Sequence, residues 1–276
     1  MLRSFAISLV MLLLVAVPVR ADVDQGHDAL AHGDFETALR IFGELAAGND
    51  PDAFYALGTM YSEGLGVPPD ERAAAENFLR AAELGNAGGQ AVIGYAYDFG
   101  LGVPHDPALA ERWYARGTAS GSIMAMNNLA YSWAERNVRL DEAQSLIKRV
   151  LAFEPDVPSY LDTLGWILFK QGEYEAAVIP LCRASVLEPG HPEVALHFGD
   201  ALWMVGQFAR ARAQWERALD LSAEWVMLSK SGRHYMALHN QTAWTAELSA
   251  RLANGLADVN VPTPIELPRD CADLTT

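Results

Sequence analysis

Seven histidines, two cysteines and thirty-five acidic residues give this chain the side chains needed to bind a metal, attack an electrophile or relay a proton. Their spacing supports none of those uses. His234 and His239 are five apart and His191 and His197 six apart, so neither pair meets on a helix face at the usual three or four. There is no His-Glu-x-x-His run, no cysteine pair at metal-binding spacing and no Gly-x-Ser-x-Gly elbow. Gly64, Gly66, Gly100 and Gly102 lie in glycine-rich loops, but prolines follow them and no Lys-Ser or Lys-Thr does, so a phosphate cradle is not expected. The acidic pairs Asp70/Glu71, Asp141/Glu142 and Glu173/Glu175 stand near predicted helix starts, where carboxylates complement the positive end of the helix dipole. The expectation is a non-catalytic protein with no metal or cofactor.

The first twenty-one residues read as a secretory signal: Arg3 supplies a basic start, Phe5 to Val19 is apolar apart from Ser8, and Val19-Arg20-Ala21 resembles a cleavage site. Cleavage is expected after Ala21, with Asp22 leading the mature chain. The apolar run of about fifteen residues falls short of the roughly twenty that cross a bilayer as a helix, and no cysteine follows it closely enough for a lipid anchor. The expected location is therefore periplasmic or secreted, without stable membrane insertion after cleavage. The whole chain carries −15; Arg3 and Arg20 leave with the signal and no acid does, so 18 basic against 35 acidic residues leave −17. Such a field repels phosphate backbones, and no nucleic-acid motif offsets it, so nucleic acid is excluded as a partner.

What organises the chain is repetition, and repeats bind through surfaces. Leu57 to Pro68 recurs thirty-six residues later without a gap: Gly58 falls on Gly94, Tyr61 on Tyr97, and Gly64-Leu65-Gly66-Val67-Pro68 on Gly100-Leu101-Gly102-Val103-Pro104. Asp70, Ala74, Phe78 and Gly85 then fall on Asp106, Ala110, Tyr114 and Gly121. Each unit predicts a helix stopped by a left-handed glycine and a proline, then a second helix capped by aspartate. Leu65 and Val67, apolar in a loop, are expected to tuck under the hairpin. A second period of thirty-four follows, in which Gly165, Gly172, Ala177, Leu181 and Ala184 recur as Gly199, Gly206, Ala211, Trp215 and Ala218. Projected backwards, the same register meets Tyr131, Ala143, Ile147 and Val150.

At these residues the thirty-six-residue unit resembles a Sel1-like repeat and the thirty-four-residue unit a tetratricopeptide repeat (TPR), of the exported bacterial type. Gly33, Phe35, Ala38 and Phe42 resemble the second half of a further tetratricopeptide unit. The resemblance implies an all-α fold, a right-handed α-solenoid of antiparallel helix pairs. It divides the chain into a signal (1–21), a half repeat plus Sel1-like repeats (22–123), tetratricopeptide repeats (124–222), capping helices (223–257) and a proline-containing tail (258–276).

In such arrays the first helix of each pair lines a concave groove, which places Asn128, Ser132, Glu135 and Arg136, then Asp162, Trp166, Phe169 and Lys170, then Glu193, Leu196, Asp200 and Trp203 there. The groove so built is acidic with aromatic anchors, unless Trp166 and Phe169 pack between neighbouring helices instead. Relatives that clamp a terminal carboxylate use lysine, asparagine and arginine; here Asp162 and Leu196 stand at the comparable positions, so that clamp is not expected. The implied function is a protein-binding adaptor of the bacterial cell envelope, its partner a protein or peptide with a basic and apolar segment. The alternatives are a regulatory subunit docked on an envelope enzyme and, third, an enzyme in its own right. Cys182, mid-helix, and Cys271, in the tail, form a disulfide if the tail folds back; otherwise Cys182 is a buried inert thiol.

Overall fold

In the computed structural model, residues 22–230 and 241–256 are described. They form thirteen α-helices and, among the described residues, no strand. Six antiparallel pairs follow one another: α1 (Val23–Ala31) with α2 (Phe35–Ala47), α3 (Pro51–Glu63) with α4 (Glu71–Glu83), and α5 (Ala87–Phe99) with α6 (Pro107–Ala119). Then come α7 (Ile123–Glu135) with α8 (Leu140–Phe153), α9 (Pro158–Lys170) with α10 (Tyr174–Leu187), and α11 (Pro192–Met204) with α12 (Phe208–Lys230); α13 (Gln241–Asn254) stands last. This is an α-solenoid, and its core is a file of adjoining clusters, each made by a pair and its neighbours.

Helix starts change chemistry along the file. From Asp22 to Ser122 every N-cap side chain (Asp22, Asp34, Asp50, Asp70, Asn86, Asp106, Ser122) accepts a backbone N–H of the first turn. In α9 and α11 the caps are Val157 and His191, whose side chains make no capping hydrogen bond, and the start is set by Pro158 and Pro192 at the favoured first position. The Sel1-like hairpins close identically. Gly64 and Gly100 end their helices with φ of 70° and 75°, and the Asp70 and Asp106 amides donate to the Tyr61 and Tyr97 carbonyls at 2.9 and 2.8 Å. Leu65 and Leu101, apolar in loops, do tuck in: both join core clusters, and Leu101 is buried.

One packing rule runs through both kinds of repeat. A small residue on the first helix faces a large one on the second, so the backbones approach closely. A Cβ added at Gly58 would lie 2.7 Å from the Phe78 ring, one at Gly94 2.6 Å from Tyr114, and one at Gly199 2.5 Å from Trp215. Gly26 meets Phe42 and Gly165 meets Leu181 in the same way. The α7–α8 pair breaks the rule, because Tyr131 occupies the glycine position opposite Ile147 and its side chain turns elsewhere.

The C-terminal boundary differs from expectation. No break falls at 222: α12 continues through Ser222 to Lys230, since the next glycine after Gly206 is Gly232 and no proline intervenes. The capping region is thus the end of α12 plus α13, whose Leu248 is fully buried in the cluster built by α9 to α12. Residues 1–21, expected to be a signal, residues 231–240 and the tail after 256 lie outside the described residues. No described helix is long and apolar enough to cross a membrane.

Candidate binding groove

Three first helices, α7, α9 and α11, carry the residues expected in the groove, and the structure sorts them into a buried floor and a half-exposed lip. Asp162, Trp166, Leu196 and Asp200 are buried, at 5%, 6%, 5% and 1% exposure. Asn128, Phe169, Lys170, Glu193 and Trp203 are half-buried. Ser132 is buried and Arg136 is drawn into an ion pair with Glu111 at 3.0 Å.

The floor is organised around His197, which sequence reasoning set aside. Its Nδ1 lies 3.0 and 3.1 Å from the two Asp162 oxygens, in a pair almost sealed from solvent. Trp166 stacks on the imidazole with centroids 4.0 Å apart and planes 12° apart, and Phe169 stacks on Trp166 at 4.9 Å. The Trp166 indole N–H donates to Glu135 Oε1 at 2.5 Å, and Lys170 Nζ sits 4.4 Å from the indole centroid. Tyr131, displaced from its packing role, crosses α9 and donates its hydroxyl to Glu193 Oε1 on α11 at 2.5 Å. Burial pushes that hydroxyl well above the usual tyrosine range, and Glu193 and Glu135 push it further.

Trp166 therefore packs between helices; it is not a free anchor, because both its ring and its N–H are engaged within the chain. Trp203 is likewise packed within the chain one repeat on, through its ring alone. Its ring lies against Phe208, Trp215 and Arg212, and Gly255 after α13 approaches it so closely that an added Cβ would overlap the ring. Asp200 is likewise used internally, holding Arg251 of α13 through two contacts at 2.8 and 2.9 Å and accepting the Trp215 indole N–H at 2.9 Å. Asn128 stands at the other end, accepting from Asn127.

Burial alone would lower the His197 pKa, but the Asp162 carboxylate, with Glu193 and Glu135 behind it, raises it to about 9. Since this is above the unfolded value near 6.5, the stabilisation is complete below about pH 6.5 and is lost as pH rises through 9. Chemical denaturation at pH 6, 8 and 10 should show that decline in the native protein and a much flatter profile in Asp162→Asn. A flat native profile would contradict the assignment.

Among the described residues no group of three or more His, Cys, Asp or Glu side chains is arranged to hold a metal. Cys182 is buried at 2% exposure and is disulfide-bonded; Cys271 lies outside the described residues.

Comparison with known proteins agrees with the helix-by-helix architecture. The Sel1 repeat profile matches residues 51–86 and 87–122, covering α3 to α6, and a tetratricopeptide repeat profile matches 23–64 and 134–192. The chain is a Sel1 and tetratricopeptide repeat protein. A TPR repeat-containing protein of Pseudomonas aeruginosa is 42% identical over 79 residues, which are 29% of this chain and 13% of that protein. A Sel1 repeat protein from Oxalobacter formigenes matches 84% of this chain and 100% of its own at 21% identity, with a TM-score of 0.53. The protective antigen c5321 of uropathogenic Escherichia coli, described as having an SLR fold, matches 84% of this chain and 53% of its own at 22% identity, with a TM-score of 0.58. At such identities these structures share the fold. Arrays of these repeats generally act as protein–protein interaction scaffolds.

Proposed function

We propose that the chain is an exported adaptor of the bacterial cell envelope, which holds a partner protein on the concave lip of α7, α9 and α11. The observation that supports this reading is the lip itself. The buried floor spends its polar atoms internally, whereas Phe169, Glu193 and Asn128 remain half-exposed and Glu135 exposed, along three successive first helices. An aromatic surface flanked by carboxylates suits a partner segment with basic and apolar residues. The −15 charge of the chain adds attraction for such a segment. Export rests on the basic-then-apolar opening of residues 1–21.

The test is affinity capture from an envelope fraction, with the retained protein identified by mass spectrometry and its affinity then measured. Glu135→Gln and Glu193→Gln keep an acceptor for the Trp166 and Tyr131 donors while removing charge. Together they should weaken capture about tenfold, roughly 1.4 kcal/mol, and reduce its salt sensitivity, with the melting midpoint nearly unchanged. Capture indifferent both to these changes and to salt between about 0.1 and 1 M would place the partner elsewhere on the array.

A further inference from the structure

Nine acidic side chains and one basic one, Lys170, stand on the six first helices, a net −8, whereas the six second helices carry twelve of each and are neutral. The fold sets these two groups on opposite sides. Successive first helices from α5 to α11 pack on one another, while no two second helices of the described residues come together as closely. The array therefore curves with its first helices inside and its second helices outside. The concave side is acidic, and the cations of the helix pairs lie almost wholly on the convex side.

Part of that convex side is also apolar. On α10, Ile179, Arg183 and Val186 follow one stripe at helical spacing, with Ile179 60% and Val186 42% exposed. Phe153 and Leu187, 72% and 46% exposed, end α8 and α10 at equivalent positions of successive repeats, thirty-four apart. Asp156, three residues beyond Phe153, pairs with Arg183, so the end of α8 adjoins the α10 stripe. Lys148 and Arg149, exposed about one turn before Phe153, make no ion pair among the described residues. These cations offset Glu154, Asp156 and Glu188, which leaves a neutral, apolar ridge on a chain of −15. Contiguous exposed apolar side chains mark a surface that a partner covers. Aliphatic side chains set among cations are also what the lip of Glu135, Phe169 and Glu193 accepts.

We propose that the occupant of the lip is a second copy of this chain: the α8–α10 ridge of one copy seats on the α7–α9–α11 lip of the next. Lys148 and Arg149 then face carboxylates, and the aliphatic stripe covers Phe169. The proposal rests on the lip being the binding face and names what fills it. Lip and ridge face opposite ways on the curved array, so one copy cannot close the contact on itself. The contact is heterologous and repeats from copy to copy, giving a ring or an open chain. At physiological salt the Debye length is about 8 Å, so the contact is governed by its local charges more than by the net charge of each copy.

The experiment follows the purified chain from Asp22 onwards by sedimentation velocity over a concentration series at physiological salt. Its mass should rise past that of a dimer. Either Glu135→Gln/Glu193→Gln on the lip or Phe153→Ser/Ile179→Ser on the ridge should weaken association about tenfold or more. The serine changes fall at exposed positions, and an unchanged melting midpoint checks that both variants are folded. The two variants are then mixed at a concentration where neither associates alone. The lip variant keeps its ridge and the ridge variant keeps its lip, so together they should form a one-to-one pair that grows no further. A chain that stays monomeric, association indifferent to either pair of changes, or a mixture that fails to pair would each overturn the proposal. A monomeric chain that still captures an envelope protein through Glu135 and Glu193 would do so while leaving the adaptor reading intact.

Discussion

Replacing Trp166 by alanine should lower stability by about 3–5 kcal/mol, the usual cost of emptying a buried tryptophan site. For a chain of this size that is a fall of roughly 10 °C in the melting midpoint. The magnitude follows from how completely the side chain is used. At 6% exposure it stacks on His197 and Phe169, supports the Lys170 ammonium and donates to Glu135. Its loss opens a cavity between α9 and α11 and bares the Asp162–His197 pair to water, weakening an interaction that depends on a dry setting. Trp166→Phe separates the contributions: the stack survives, the hydrogen bond to Glu135 does not, and the cost should be nearer 1 kcal/mol. Partner capture below the melting transition should change little in Trp166→Phe. A midpoint within a degree or two of native for Trp166→Ala, with capture abolished, would instead make Trp166 a binding anchor.

The fold was legible in the sequence because repeat packing is written in local spacing. Gly58 and Phe78, or Gly199 and Trp215, stand a fixed number of residues apart and recur, so the close approach that each pair permits could be read without coordinates. The start and stop chemistry was equally local, as Asp70 and Gly64 show. The groove was legible only as a set of helix faces. Repeat register places Asp162, Trp166 and Asp200 on the concave side, but their burial depends on what the neighbouring helix offers, and that is set by residues outside the register. His197 stands thirty-five residues from Asp162, one step off the period of thirty-four, and so does not fall on a matched position of the repeat. A carboxylate at Asp162 on a packed helix needs a donor, and His197 on the next first helix was a visible candidate. Tyr131 gave a clearer signal: a large residue where glycine packs in the other pairs must direct its ring elsewhere. The partner of Asp200 was not readable in advance, since Arg251 belongs to a cap that follows no repeat.

That cap carries the last prediction. Asp200 is 1% exposed, and burial pushes its carboxyl pKa up while Arg251 pulls it back. Arg251 itself is 13% exposed and is also held by Glu247 at 2.7 Å. Arg251→Met leaves a buried carboxylate without its cation and should cost about 3–5 kcal/mol, as breaking one side of a buried pair does. The sign of the pH response identifies the cause. A carboxyl whose folded pKa is raised binds its proton more tightly when folded, so the variant should regain stability as pH falls from 7 towards 5. Adding Asp200→Asn to Arg251→Met removes the orphan charge and keeps an acceptor for the Trp215 indole. The double variant should therefore be more stable than Arg251→Met alone, a coupling of at least about 2 kcal/mol, because the two groups touch. Since each repeat contacts only its neighbours, the loss should appear first at the C-terminal end. Hydrogen exchange would then rise in α11, α12 and α13 before α1 to α6. Uniform exchange along the array, or a double variant no better than Arg251→Met, would show that the Asp200–Arg251 pair does not hold the cap.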